Sequence, residues 1–266
     1  MEIEQNYTLI TGATGGLGNA FCHACARLGE NLILTGRTQE KLDALSLSLS
    51  QEYPQIQIKT YAANLEKEQG RDALKRQIVQ EGLKLSRLVN VAGADIQKAF
   101  CKYDVEKIRF QCQVNFQAAV ELCHFAISQK AKTLKIINVS SVSGIYPMPY
   151  FAIYSATKGA LTSFSLSLRE EVKGQDVCVT VVLPGAMPTR SDVKEQIKGQ
   201  GLWGKLAAKS PQFVAEKSLL ASNKNKGKYI PGFCNNVMDV TTKLIPMSLK
   251  LKFIANRWSK IEKDAF

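Results

Sequence analysis

Thr11-Gly12-Ala13-Thr14-Gly15-Gly16-Leu17-Gly18 stands between an apolar run, Tyr7 to Thr11, and a segment with helical spacing. Glycine belongs where a turn takes positive φ and where backbone must approach a pyrophosphate with no Cβ in between. The helix that follows offers unpaired N–H groups and the positive end of its dipole to an anion. A glycine-rich turn alone says little, but one placed between a first strand and a first helix points to a bound dinucleotide.

Outward from this turn, short β-branched runs alternate with longer helical patterns: Asn31 to Thr35, Ile56 to Ala62, Arg87 to Val91, Leu134 to Val139 and Val177 to Leu183. That rhythm is the one of repeated βαβ units. The runs are nearly all apolar instead of alternating, as strands covered by helices on both faces require. The expected fold class is α/β, a doubly wound, Rossmann-like parallel sheet in one domain over residues 1–266. Within it, 184–210 is expected as a substrate loop and 232–266 as a basic C-terminal helical extension. Leu45, Leu47 and Leu49 alternate with serines and read as a strand by period alone. Their place between two stronger strands, behind a Thr38 cap, predicts a helix instead.

Composition sets the outer bounds. The chain has 266 residues, 45% apolar and 22% charged, which excludes disorder and collagen-like repeats. Every apolar run is broken within about eight positions, short of the 18 or so a membrane span needs. Glu2 and Glu4 stand where a secretory signal needs basic residues, so a cytoplasmic protein is expected. Seven scattered cysteines suit reduced thiols; Cys22 and Cys25, flanking His23, read as packing, as do His23 and His124. No metal site is apparent. The net charge is +12, and residues 205–266 hold twelve Lys or Arg against four acids. No finger spacing or interleaving of aromatic and basic residues accompanies that excess, which argues against a nucleic-acid partner. Leu249, Phe253, Ile254, Trp258 and Ile261 line one side of a predicted terminal helix with Lys250, Lys252, Arg257 and Lys260 elsewhere. Such a helix closes over the domain, meets another subunit, or makes a weak contact with a membrane surface.

Two further stretches carry chemistry. The second strand ends Leu34-Thr35-Gly36-Arg37, where an NAD-binding protein usually presents an acid to the ribose hydroxyls. Gly36 leaves room and Arg37 offers a planar cation suited to a 2′-phosphate, favouring NADP(H), with NAD(H) as the alternative. Tyr154-Ser155-Ala156-Thr157-Lys158 opens a helical pattern running to about Val172, which sets Tyr154 and Lys158 one turn apart on one face. A cation about 4 Å from a phenol, at an effective dielectric of about 20, favours the phenolate by roughly 4 kcal/mol before desolvation opposes it. Tyr154 thereby qualifies as an acid/base group. Thirteen positions earlier, Asn138-Val139-Ser140-Ser141 ends the fifth strand and delivers hydroxyls to the sheet edge at which α/β proteins bind ligands. Ser141 has no histidine placed to activate it and no Gly-x-Ser-x-Gly turn, so it is not a hydrolase nucleophile.

In this order the motifs resemble the short-chain dehydrogenase/reductase family over roughly residues 7–190: Thr11 to Gly18, Asn90-Val91-Ala92-Gly93, Val114-Asn115-Phe116, Ser141, Tyr154, Lys158, and Pro184-Gly185 with Thr189. The resemblance implies that Tyr154 exchanges a proton with the substrate oxygen and Ser141 holds that oxygen. It implies that Lys158 binds the nicotinamide ribose and lowers the tyrosine pKa, while Asn115 supports a water relay. Gly12, Thr14, Gly16, Leu17 and Gly18 would shape the pyrophosphate and ribose site, with Asn64, Leu65 and Pro184 also at the cofactor, Asn90 steadying the sheet, and Thr189 meeting the carboxamide. Asn64 replaces the acid that commonly contacts adenine, and Val91 the second asparagine of the usual Asn-Asn-Ala-Gly run.

The expected activity is therefore NADP(H)-dependent interconversion of a ketone and a secondary alcohol. Tyr146 to Phe151 and the loop after Pro184, with Met187, Ile197, Leu202 and Trp203, would wall an apolar pocket for a lipophilic substrate such as a steroid, a bile acid or a long acyl ketone. A cofactor sensor without turnover and a lipid ketone reductase working at a membrane surface are the alternatives. The resemblance implies a homodimer or homotetramer built on the helix carrying Tyr154 and on a helix over 104–131.

Overall fold

The computed structural model describes residues 6–188 and 208–259. Seven strands form one parallel sheet in the order β3-β2-β1-β4-β5-β6-β7: β1 Asn6–Thr11, β2 Asn31–Gly36, β3 Ile58–Ala62, β4 Lys84–Asn90, β5 Lys130–Val139, β6 Val177–Val182 and β7 Lys228–Tyr229. Because β2 and β4 both flank β1, the chain winds outward in opposite directions on either side of it. The loops leaving β1 and β4 therefore diverge and open a crevice at their C-terminal ends.

The apolar runs divide their side chains between two layers. Ile10, Leu32, Leu34, Val89 and Ile137 face one layer, completed by α1 (Gly16–Arg27), α2 (Gln39–Glu52) and α7 (Pro211–Asn223). Tyr7, Leu9, Ile33, Leu88 and Ile136 face the other, completed by α3 (Glu68–Gln80), α5 (Ala118–Ser128) and α6 (Ala152–Glu171). Burial on both faces is why these strands carry no polar alternation. Two bidentate ion pairs brace the layers: buried Arg71 with Glu121, and buried Arg87 with Glu30.

The expected doubly wound sheet is present, and the serine-leucine alternation over residues 45–50 is helical. Leu42, Leu45 and Leu49 point inward while Leu47 lies on the surface. Thr38 occupies the N-cap position of α2, but its hydroxyl makes no capping bond. Gln39 ties down that end instead, accepting from the Ala62 N–H and donating to Asp43 and Thr60. The helix expected over 104–131 runs from Val105 to Ser128 with a π-helical turn inside it. It comprises α4 (Val105–Cys112), a π-helical turn at Gln113–Gln117 and α5, and residues 130 and 131 already belong to β5. The two-residue β7 had no counterpart among the sequence-derived strands.

Beyond β7 come α8 (Phe233–Lys243) and α9 (Met247–Trp258). The apolar residues expected on one side of the last helix divide between two sides. Ile254 is buried and Trp258 packs edge-on against Phe151 at 5.3 Å, whereas Leu249 and Phe253 are exposed. Ile261 and Lys260 lie outside the described residues.

Candidate active site

At the crevice, Gly12 takes φ +64°, and a Cβ there would lie 3.1 Å from the Ala92 Cα. A Cβ on Gly18 would overlap the Gly12 carbonyl oxygen, so α1 can seat against the turn only through a glycine. The first turn of α1 carries no acid, which leaves its positive end open to an anion. Thr11 accepts at Oγ1 from the Val91 and Ala92 N–H groups, at 3.0 and 3.1 Å. Val91 is thus tied to β1 through its backbone N–H. A cleft of 450 Å³ runs from this cradle past Arg37 and Asn64 to Ser141, Tyr154 and Lys158. Its length, its side-chain-free cradle and its helix terminus fit a dinucleotide.

At one end of the cleft, Arg37 is exposed on the rim behind Gly36, and β2 ends without a carboxylate. Thr14 is exposed beside it and Leu65 is buried behind it. The Asn64 amide oxygen, expected to face adenine, accepts from the Glu66 N–H at 3.1 Å and is turned back on its own loop.

At the other end, α6 presents Tyr154 and Lys158 on one face. Lys158 Nζ donates to the Val139 carbonyl oxygen at 2.8 Å and lies 5.9 Å from the centre of the Tyr154 ring. Burial lowers the Lys158 pKa to about 8, with the nearby Asp95 carboxylate opposing the shift. Ser141 is 8% exposed, and its Oγ accepts from the Ser143 N–H at 3.1 Å. That bond polarises the hydroxyl to donate its own proton into the cleft.

Gly12, Thr14, Gly16, Leu17, Gly18, Arg37, Asn64, Leu65, Ser141, Tyr154, Lys158 and Pro184 all line this one cleft. Two other expected residues stand behind it. Asn115, in the π-helical turn, exchanges two hydrogen bonds with the Ala94 backbone and donates to Thr157 Oγ1. Asn90, expected among the cofactor-binding residues, is buried away from the cleft and donates to Asn138 Oδ1 and the Ala119 carbonyl oxygen. Thr189 lies outside the described residues, as do Ile197, Leu202 and Trp203; Met187 does line the cleft.

Of the residues expected as substrate walls, Tyr146 to Pro149 are not among the lining of this cleft, whereas the Phe151 ring lies 5.9 Å from that of Tyr154. Tyr146 to Pro149 line a separate apolar groove of 420 Å³ with Leu251, and Phe151 packs on Trp258. Phe110 and Val114, which the sequence alone did not single out, add apolar lining to the cleft. Ser140 was passed over as well: its hydroxyl donates to the Lys158 carbonyl oxygen at 2.8 Å and lies 2.8 Å from Thr162 Oγ1, pinning α6 to β5. A Cβ on Gly144 would meet the Lys158 carbonyl carbon at 2.7 Å, so the loop after Ser141 lies directly on α6. The serine repeat and the glycine after it were the available signals. Cys22 and Cys25 are fully buried in the core, where desolvation pushes both thiols up, and so are packing residues. No cluster of metal-ligating side chains occurs among the described residues.

The family model for short chain dehydrogenases matches residues 6–199. The chain belongs to that family. Among curated proteins this short-chain dehydrogenase is 32% identical over 190 residues to the very-long-chain 3-oxoacyl-CoA reductase of Bos taurus, a match covering 69% of the chain and 60% of that protein. A very-long-chain 3-oxoacyl-CoA reductase-like protein of Arabidopsis thaliana is 31% identical, with 70% and 61% covered. The matched stretch thus spans about 60% of the length of these relatives. Among solved structures, a 7beta-hydroxysteroid dehydrogenase superposes with a TM-score of 0.84 at 23% identity, over 94% of the chain and 96% of its own. A short-chain dehydrogenase from Sphingobium yanoikuyae in complex with NADPH gives 0.76 at 25% identity, over 86% and 88%.

Proposed function

We propose that this protein is an NADP(H)-dependent oxidoreductase that interconverts a lipophilic ketone and its secondary alcohol. The observation that carries the reading is the placement of Lys158 Nζ beneath the Tyr154 ring, in a buried site at the end of a cleft that begins with the glycine cradle. The nicotinamide, when bound, supplies or accepts the hydride. Tyr154 gives its phenolic proton to the substrate oxygen during reduction and takes it back during oxidation. Ser141 donates a hydrogen bond to that oxygen and sets its position against the phenol. Lys158, held by Val139, supplies the positive charge that stabilises the phenolate left behind. Asn115 keeps the loop at Ala94 and the first turns of α6 in register.

The choice of NADP(H) rests on Arg37 at the rim and on the missing carboxylate at the end of β2, and the NADPH complex of the Sphingobium relative supports it. Phe110, Val114 and Met187 favour an apolar substrate, and the relatives named as 3-oxoacyl-CoA reductases support a long acyl ketone within that class. The same reading places the enzyme in the cytoplasm, in line with its seven free cysteines. It also makes the enzyme a homodimer or homotetramer, for which the exposed small side chains Ala156, Ala160, Ser163 and Ser167 along α6 leave room. The test is loss of reduced-nicotinamide absorbance with NADPH or NADH and a panel of long acyl, steroid and small ketones. Faster NADPH oxidation with the lipophilic ketones is expected. Cofactor binding without turnover across the panel would overturn the reading.

A further inference from the structure

α8 is built inside out. Its buried positions are polar: Asn235, which donates to the Pro231 carbonyl oxygen at 2.8 Å, and Asp239, which pairs with Lys228 at 3.2 Å. Its outer stripe is apolar. Phe233, Val237, Val240 and, at the C-cap, Leu244 follow at i, i+4, i+7 and i+11, with exposures of 81, 42, 61 and 84%. A helix resting on a core does the opposite.

The exposed apolar residues continue past the helix. Ile245 in the connection, then Met247, Leu249 and Phe253 on α9, all face outward, while Leu251, Ile254 and Trp258 take the inner side. Around them stand Lys252 and Arg257, exposed, and Lys250, half-buried over the Tyr146 ring. The only carboxylate between residues 233 and 259 is Asp239, already buried and paired. An apolar surface of this extent marks an interaction site, and every exposed charge along it is positive.

We propose that the α8–α9 segment seats this protein in the plane of an anionic lipid surface. The apolar stripe enters the boundary between headgroups and acyl chains, and Lys250, Lys252 and Arg257 meet the lipid phosphates. No helix among the described residues is long and apolar enough to cross a membrane, so the contact is one of a surface helix. A second copy of the chain suits the segment less well. A twofold contact through the stripe brings the cations of both copies to one interface, with no free carboxylate in the segment to answer them. The proposal is independent of the oxidoreductase reading and is tested without substrate.

The experiment is sedimentation of the full-length protein with vesicles of phosphatidylcholine alone or mixed with phosphatidylglycerol. The protein should pellet with the mixed vesicles and be released by high salt. Lys252→Glu/Arg257→Glu and Leu244→Ser/Phe253→Ser should each weaken that partition at least about tenfold, with the melting temperature unchanged, since all four side chains are exposed. Failure to pellet with either vesicle, or equal pelleting with both, overturns the proposal. So does a sedimentation-equilibrium result in which the wild type is a dimer and Leu244→Ser/Phe253→Ser a monomer, which would assign the stripe to a second copy.

Discussion

Lys158 holds its Nζ 5.9 Å from the centre of the Tyr154 ring while donating to the Val139 carbonyl oxygen at 2.8 Å. The ammonium is thereby anchored to β5 and not to the tyrosine it serves. The proposed acid/base role of Tyr154 is served by a cation whose hydrogen bond does not depend on the phenol.

Replacing the phenol separates chemistry from binding. Tyr154→Phe should lower kcat by about a hundredfold to ten-thousandfold. NADPH affinity, read by fluorescence titration, and the melting temperature should stay at wild-type values. Near-full turnover in this variant would exclude Tyr154 as the proton donor.

Lys158 leaves a pH signature in stability. Its pKa falls from the ordinary 10.5 to about 8 on folding, so between those values the unfolded chain holds more protons than the folded one. Its destabilising contribution is fully present below pH 8 and is relieved as pH rises toward 10.5. Denaturant titrations of the cofactor-free protein should show the difference between wild type and Lys158→Met shifting in favour of wild type across that window, while the variant loses turnover. A constant difference would mean that the lysine titrates normally.

The proposed choice of NADP(H) rests on Arg37 at the rim of the cleft. Arg37→Asp should shift the ratio of kcat/KM for NADPH over NADH by about tenfold to a hundredfold toward NADH, the range of a lost charge-assisted hydrogen bond. An unchanged ratio would show that the arginine does not read the 2′-phosphate.

Gly144 tests the contact between the Ser141 loop and α6. The methyl of Gly144→Ala would meet the Lys158 carbonyl carbon at 2.7 Å and the Gly159 nitrogen at 2.8 Å, both backbone atoms that cannot swing aside. Overpacking of this kind should lower the melting temperature by about 5 °C. It should also reduce kcat by moving Ser141 relative to Tyr154, with NADPH affinity little changed because the cradle lies at the other end of the cleft. Equal losses of affinity and kcat would point to general unfolding instead.

The features readable in the sequence were those whose chemistry is local. The glycine turn, the Tyr154–Lys158 spacing and the apolar strands each carry their reason within a few residues, and the described structure brings the first two to one cleft. Features set by tertiary contact were not readable. Asn64 was assigned by its place after β3, but its orientation is decided by a bond to Glu66 two residues on. The aromatic run at 146–151 suggested a substrate wall by composition, yet the path of the chain after Gly144 carries Tyr146 to Pro149 to another groove and leaves Phe151 beside Tyr154, while Phe110 and Val114 add to the cleft lining. A π-helical turn at 113–117 has no residue pattern of its own, so its presence inside the expected 104–131 helix could not be read from spacing.

The Thr11 hydroxyl, by taking both the Val91 and the Ala92 amides, makes the ends of β1 and β4 a single mechanical part. Whatever tightens the glycine turn must also quieten those two amides, since a Cβ on Gly12 would lie 3.1 Å from the Ala92 Cα. Slowed hydrogen exchange at Val91 and Ala92 is therefore a gauge of nucleotide occupancy that needs no substrate, no turnover and no label on the ligand.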